Sequence, residues 1–142
     1  MGNEKMKVML DIGAYMPERG HDGDAGLDLK TPKWVEIPAH GYATIDTGVH
    51  IQIPYGYYGK LESKSGLNVK HSVVSLGGVI DFGYTGSIKA KLYNLSDVNY
   101  CFEPGEKIVQ IIIQPCEYPK LEFTDHFEET ERGNNGFGST GR

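Results

Sequence analysis

Asp81 and Tyr84 stand three residues apart in the glycine-rich run Gly77-Gly78-Val79-Ile80-Asp81-Phe82-Gly83-Tyr84-Thr85-Gly86. A carboxylate can accept a proton and so activate a water, while a ring beside it can hold a flat base. Glycines along the run let the backbone bend sharply and come close to a ligand. The apolar pair Val79-Ile80 predicts a short strand ending at Asp81, in an acidic β-hairpin. Acidic turns also occur without any function, so the rest of the chain must decide what this one does.

Two other stretches carry groups out of keeping with their surroundings. Gln110 interrupts Ile108-Val109-Gln110-Ile111-Ile112-Ile113, a run apolar on both faces like a strand covered on both sides. In a chain of this size the second cover can be another subunit. The amide either satisfies backbone groups in the core or faces a polar site. Residues 132–142 contain almost no core-forming side chain. Their composition reads as a mobile tail. It also holds the parts of a phosphate clasp: backbone amides, two hydroxyls, an arginine and the Phe137 ring.

The elements that must position these groups are short strands. Alternation puts Val8, Leu10 and Ile12 on one side of a strand over 7–12, and Trp34 to Ile37 forms another. Over 45–54, Val49, Ile51 and Ile53 share one face while His50 and Gln52 share the other, and 57–62 continues the pattern. Ser63 to Leu67 starts the only helical turn of any size. Ile88, Ala90 and Leu92 point inward from a strand over 87–93, with Lys89 and Lys91 outward. The 19 glycines and 7 prolines supply many turns. The reading is one all-β domain of many short strands.

Composition excludes several classes of function. A net charge of −5 argues against broad electrostatic binding to nucleic acid or a membrane surface, so an anionic ligand needs a metal or local cations. No apolar run approaches the ~20 residues that span a bilayer. The segment from Met1 to Met6 lacks a signal-peptide core, which points to the cytoplasm. Cys101 and Cys116 form no Cys-x-x-Cys pair and read as core thiols. The five histidines lack metal-ligand spacing, and Asp22 with Asp24 fails as a calcium loop because Gly26 takes a ligand position.

Five stretches, in order, resemble the motifs of the trimeric dUTP pyrophosphatase (dUTPase) family. They are Ala25-Gly26-Leu27-Asp28-Leu29, then Ser63-Lys64-Ser65-Gly66-Leu67, then Gly78 to Gly86, then Gly105-Glu106-Lys107-Ile108-Val109-Gln110, and finally Arg132 to Thr140. The resemblance covers nearly the whole chain. It implies a jelly-roll-like β-barrel over residues 1–131 and a flexible closing tail over 132–142. It also implies a homotrimer whose three active sites lie between subunits. The implied reaction is Mg2+-assisted hydrolysis of dUTP to dUMP and pyrophosphate, in the cytoplasm or in a host's cytoplasm if phage-encoded.

The resemblance implies a role for each matching residue. Asp81 would orient and deprotonate the water that attacks the α-phosphorus, with Gln110 placing that water or anchoring the nucleotide. Tyr84 would pack on the deoxyribose and leave no room for a 2′-hydroxyl, while Gly78, Val79 and Ile80 would read the uracil edge. Lys64, Ser65 and Gly66 would bind phosphate oxygens. Asp28 would meet the water shell of Mg2+. Arg132, Gly138, Ser139 and Thr140 would close over the phosphates while Phe137 stacks on uracil.

Some positions depart from the family pattern. Lys64 stands where arginine is usual, giving a point charge in place of a fork. Gly83, Thr85 and Ser87 replace an acid, a polar or basic residue, and a glutamate; Leu27 and Asn135 differ more mildly. Two rivals share this fold: a dCTP deaminase, and a regulator acting through protein contacts as some phage members do. The intact Asp81 and Phe137 stretches favour hydrolysis at phosphorus.

Overall fold

Strand after strand, one face is apolar and the other polar, so the sheets must close over a shared interior. A computed structural model describes residues 5–138 and 141. It contains β1 (Val8–Leu10), β2 (Gly26–Lys30), β3 (Val35–Ile37), β4 (Tyr42–Asp46), β5 (Val49–Ile51) and β6 (Tyr57–Glu62). A helix α1 (Ser65–His71) follows, then β7 (Val73–Ser75), β8 (Val79–Ile80), β9 (Lys89–Asn94), β10 (Tyr100–Phe102) and β11 (Lys107–Pro115).

The larger sheet runs β2-β11-β6-β8, a second runs β4-β9-β7, and β1-β5 and β10-β3 form two-stranded ribbons. Every pair is antiparallel. Leu29, Val49, Leu92, Phe102, Ile108 and Ile111 are buried in a single cluster that all four sheets share. Each such side chain contributes about 1.5–3 kcal/mol when taken from water. The result is an all-β, jelly-roll-like barrel with one short helix among the described residues.

The structure corrects several expectations. The run over 7–12 pairs only through Leu10; Ile12 lies in the following turn, fully exposed. The run over 45–54 is broken at Thr47-Gly48, where Gly48 takes φ 68° and the buried Thr47 hydroxyl donates to the Ile88 carbonyl at 2.7 Å. Cys101 is exposed and Cys116 half-buried, so neither is a core thiol. In β10 the alternation gives the interior to Phe102 and turns Cys101 outward.

The Asp81 stretch is not a hairpin. β8 pairs with β6, whereas the next strand, β9, pairs with β4 and β7 in another sheet. Residues 81–88 are therefore a loop that crosses between sheets. The two-sided apolar run in β11 has a local cause as well. A register shift between Lys107 and Val109 lets the consecutive Ile108 and Val109 both face inward, while Gln110, Ile112 and Ile113 stay half-covered.

Candidate active site

The loop after β8 lines a pocket of about 270 Å³ with Gly78, Val79, Ile80, Asp81, Tyr84, Ser87 and Lys89. The Leu61 amide donates to the Gly78 carbonyl at 2.9 Å, which pins the entry to β8. Gly78 holds φ 96°, and a Cβ there would lie 2.9 Å from Leu61 Cβ, so only glycine fits. β8 ends the larger sheet and pairs on one side only, so its other edge has no strand beside it among the described residues, and both its residues line the pocket. Strand pairing stops at Ile80, and Asp81 is the first residue beyond it.

Asp81 is exposed, and its carboxylate enters none of the hydrogen bonds or ion pairs found among the described residues. Its carbonyl accepts the Tyr84 amide at 3.2 Å, folding the loop back. The Tyr84 hydroxyl donates to the Ser87 carbonyl at 2.8 Å, so the ring is held by its polar end, close against Gly86, and the residue remains 41% exposed. A free acid and a fixed ring thus stand at one end of an edge strand. Such a site can read a planar, hydrogen-bonding ligand and activate a water beside it.

A second group forms where β2, β11 and β6 lie side by side. Asp28 is opposite Gln110, and Gln110 is opposite Glu62, so the three share one face. Asp28 is 4% exposed and its two oxygens meet Lys64 Nζ and, at 3.2 Å, Lys107 Nζ. Two partly solvated ammonium groups offset the cost of hiding this charge. Nearby, Glu18 accepts from Lys30 Nζ at 2.9 Å, and this bond holds its carboxyl below the usual range.

Gln110 donates from Nε2 to the Ser63 carbonyl at 3.0 Å, the backbone use that its place in an apolar strand requires. A Cβ on Gly26 would lie 2.0 Å from Gln110 Oε1, so the amide takes its place because Gly26 has no side chain. Ser63 ties the two groups together. Its hydroxyl donates to the Ser75 carbonyl at 3.1 Å and accepts the Ser75 amide at 2.8 Å, on the segment that leads to Gly78.

Within one chain these groups remain separate. Asp28, Lys64, Gln110, Arg132 and Phe137 do not line the Asp81 pocket. Ser65 and Gly66 open α1 on an exposed surface. Arg132 donates from Nε to the Asn135 carbonyl at 2.9 Å, and the Phe137 ring is fully exposed. Gly138 follows with φ 94°, while Ser139 and Thr140 lie outside the described residues. A larger cleft of about 570 Å³ between 55–57 and 115–119 contains no predicted site residue.

Sequence reasoning overlooked Lys107, Ser63, Ser87 and Lys89 as parts of these groups. Lys107 and Ser63 carried a signal, since they lie in the fourth and second family-like stretches, and Ser87 was noted only as a departure from the pattern; nothing in the sequence marked Lys89.

The order of the five stretches and the geometry of the loop agree with one family. A family model described as dUTPase matches residues 13–141. The chain belongs to the dUTPase family. The deoxyuridine 5'-triphosphate nucleotidohydrolase of Paramecium bursaria Chlorella virus 1 is 40% identical to it over 128 residues, covering 90% of this chain and 91% of that protein. The structure of Staphylococcus bacteriophage 80alpha dUTPase with dUpNHpp is 33% identical and superposes with a TM-score of 0.92, over 99% of this chain and 100% of that one. A mutant dUTPase from phage phi11 of S. aureus, solved with a structural Mg(II) ion, is 30% identical with a TM-score of 0.82, over 89% and 100%. Identity at this level over whole chains makes the dUTPase barrel, and not only its strand order, the frame for the two groups.

Proposed function

We propose that this chain is a dUTP diphosphatase in which Asp81 is the general base for attack of water at the α-phosphorus. The observation that carries the reading is the Asp81 carboxylate, exposed and without a partner among the described residues, at the end of the edge strand β8 and next to a ring fixed through its hydroxyl. Asp81 takes a proton from the water as the oxygen bonds to phosphorus. The bond from the α-phosphorus to the bridging oxygen breaks, and pyrophosphate leaves with the electron pair. The exposed edge of β8 suits uracil, because its backbone offers both donors and acceptors to the ring. Tyr84 packs on the deoxyribose and refuses a 2′-hydroxyl.

The separation of the groups supports a site shared between subunits. Three copies around an axis would bring Asp28, Lys64, Ser65, Gly66 and Gln110 of one chain toward the Asp81 pocket of another, with the 132–142 segment as a cover over the 1–131 barrel. Lys64, Arg132, Ser139 and Thr140 then hold phosphate oxygens, and Phe137 stacks on uracil. A reducing cytoplasm suits the two free thiols.

Both oxygens of Asp28 are taken by Lys64 and Lys107 Nζ, so Asp28 would meet Mg2+ only through its water shell, once a lysine turns from the carboxylate to a substrate phosphate. Mg2+ commonly uses one or two carboxylates through water together with substrate phosphates. When bound, it supplies charge that offsets the triphosphate. Asp28→Asn should raise the Mg2+ concentration for half-maximal turnover about 10-fold. It should also cost about 1–2 kcal/mol of stability, less than a fully buried pair because Lys64 and Lys107 are partly solvated. Melting curves with and without Mg2+ check the second effect without substrate; an unchanged curve would remove Asp28 from both roles.

The test of the reading is pyrophosphate release from dUTP, dCTP, dTTP and UTP, with and without Mg2+. Mg2+-assisted turnover of dUTP alone is expected. No turnover of dUTP by a folded protein overturns it in favour of a regulatory protein, and ammonia release from dCTP would make the chain a deaminase.

A further inference from the structure

Thr85 presents its carbonyl to His50 Nδ1 at 2.7 Å, while the other ring nitrogen, Nε2, lies 2.9 Å from Asp11 Oδ1. A carbonyl only accepts, so Nδ1 carries a hydrogen. An ionised carboxylate also only accepts, so Nε2 carries one too. Only the imidazolium can donate both bonds at once, and in that form the ring stretches between Asp11 after β1 and the loop that bears Asp81 and Tyr84. We propose that His50 is a positioning residue for the active-site loop, holding Thr85 in place from a seat on Asp11; this rests on the dUTP hydrolysis proposed above.

The seat is bonded into the barrel, whereas the loop lies exposed beside it. His50 lies in β5 opposite Met9 of β1, and Asp11 is fixed by its own amide donating to the Gly48 carbonyl at 2.8 Å. The Ile88 amide donates to the Val49 carbonyl at 2.8 Å, and the Thr47 amide donates to the Ile88 carbonyl at 3.0 Å. These bonds anchor the loop's exit to the strand that carries His50. Upstream of Ile88, residues 81–85 are exposed, and the bonds at Tyr84 are internal to the loop. The His50 ring therefore reaches from the barrel to the carbonyl directly after Tyr84. Without it, Tyr84 and Asp81 depend on the loop's own turn and on the edge-to-face contact of the Phe82 ring with Tyr55, 5.2 Å between centroids.

The charged groups facing His50 are Asp11 from the end of β1 and Asp46 from the end of β4; the loop presents the Thr85 carbonyl. Asp46 is itself held ionised, chiefly by the Gly48 amide that donates to it at 2.9 Å, and Lys89 acts on Asp46 in the same direction. The Thr85 carbonyl first, and Asp11 second, raise the His50 pKa above its ordinary value. A group whose folded pKa is raised stabilises most below its unfolded pKa and loses that effect as pH rises through the folded value. The clamp is thus complete at about pH 6 and weakens as pH rises past the raised pKa. A neutral ring keeps only the bond to Thr85, with its Nε2 lone pair facing the Asp11 carboxylate.

His50→Ala should lower kcat/KM for dUTP by about 10-fold at pH 6, since a displacement of about 1 Å costs on the order of 100-fold and a loosened loop less. The deficit should shrink as pH rises. Asp11→Asn should move the pH at which it shrinks downward, and His50→Gln, which can still donate to Thr85, should recover part of the loss. Ring nitrogen shifts across a pH titration should show His50 doubly protonated above pH 6.5 in wild type and to a lesser extent in Asp11→Asn. Amide exchange over 82–87 should quicken in His50→Ala. A His50→Ala protein with wild-type kcat/KM at pH 6, or unchanged exchange with an unshifted His50 titration, overturns the positioning role. Should wild type fail to turn over dUTP, the proposed reaction falls, while titration and exchange still decide whether His50 holds the loop.

Discussion

Asp81→Asn is expected to lower kcat for dUTP hydrolysis by about 10²- to 10⁴-fold, the range a positioned general base supplies. Asparagine keeps the shape and can still accept a hydrogen bond from the water, but it cannot take the proton. The stability of the protein should barely move, by roughly 0.5 kcal/mol or less. Asp81 is exposed, its side chain has no partner among the described residues, and its carbonyl keeps the bond from the Tyr84 amide whatever side chain is present. Single-turnover measurement of pyrophosphate formation separates this loss from weaker binding. A fall in kcat below about 10-fold would remove Asp81 as the base and leave it a positioning role.

Asp81 could be placed from sequence because local features decide it. Two apolar residues make a strand too short to continue, and glycines on either side bend the chain. α1 was legible for a similar reason, since Ser63 to Leu67 breaks a period of two between strands that keep it. Partners were not legible. Alternation says which face of a strand is inside, but not which strand lies beside it, so a hairpin was expected where the chain crosses from the larger sheet to the β4-β9-β7 sheet. The same blindness hid His50. It was read as one polar residue among the outward positions of β5, yet its two partners lie 39 and 35 residues away, at Asp11 and Thr85. Lys107 was visible as a family-like residue, but its bond to Asp28 depends on β11 running beside β2 with a bulge at that end.

Deleting residues 132–142 should lower kcat/KM for dUTP by about 10²- to 10³-fold while leaving the melting temperature unchanged. One charge-assisted hydrogen bond from Arg132 to phosphate is worth about 1.5–3 kcal/mol, and stacking of Phe137 on uracil about 0.5–1.5 kcal/mol. Together they span this range at about 1.4 kcal/mol per factor of ten. Stability is spared because the Phe137 ring is fully exposed and Arg132, among the described residues, bonds only the Asn135 backbone, so neither contributes to the core. The same deletion reveals where the segment acts. If it covers the pocket of a neighbouring chain, assembling deleted chains with Asp81→Asn chains places an intact segment over an intact Asp81 in about a quarter of the sites, and activity returns from two inactive proteins. If it folds over its own chain's pocket, every site lacks one part or the other and the mixture stays inactive. Recovery on co-assembly would therefore establish that residues of different subunits meet in one site, whereas a silent mixture would confine the segment to its own barrel.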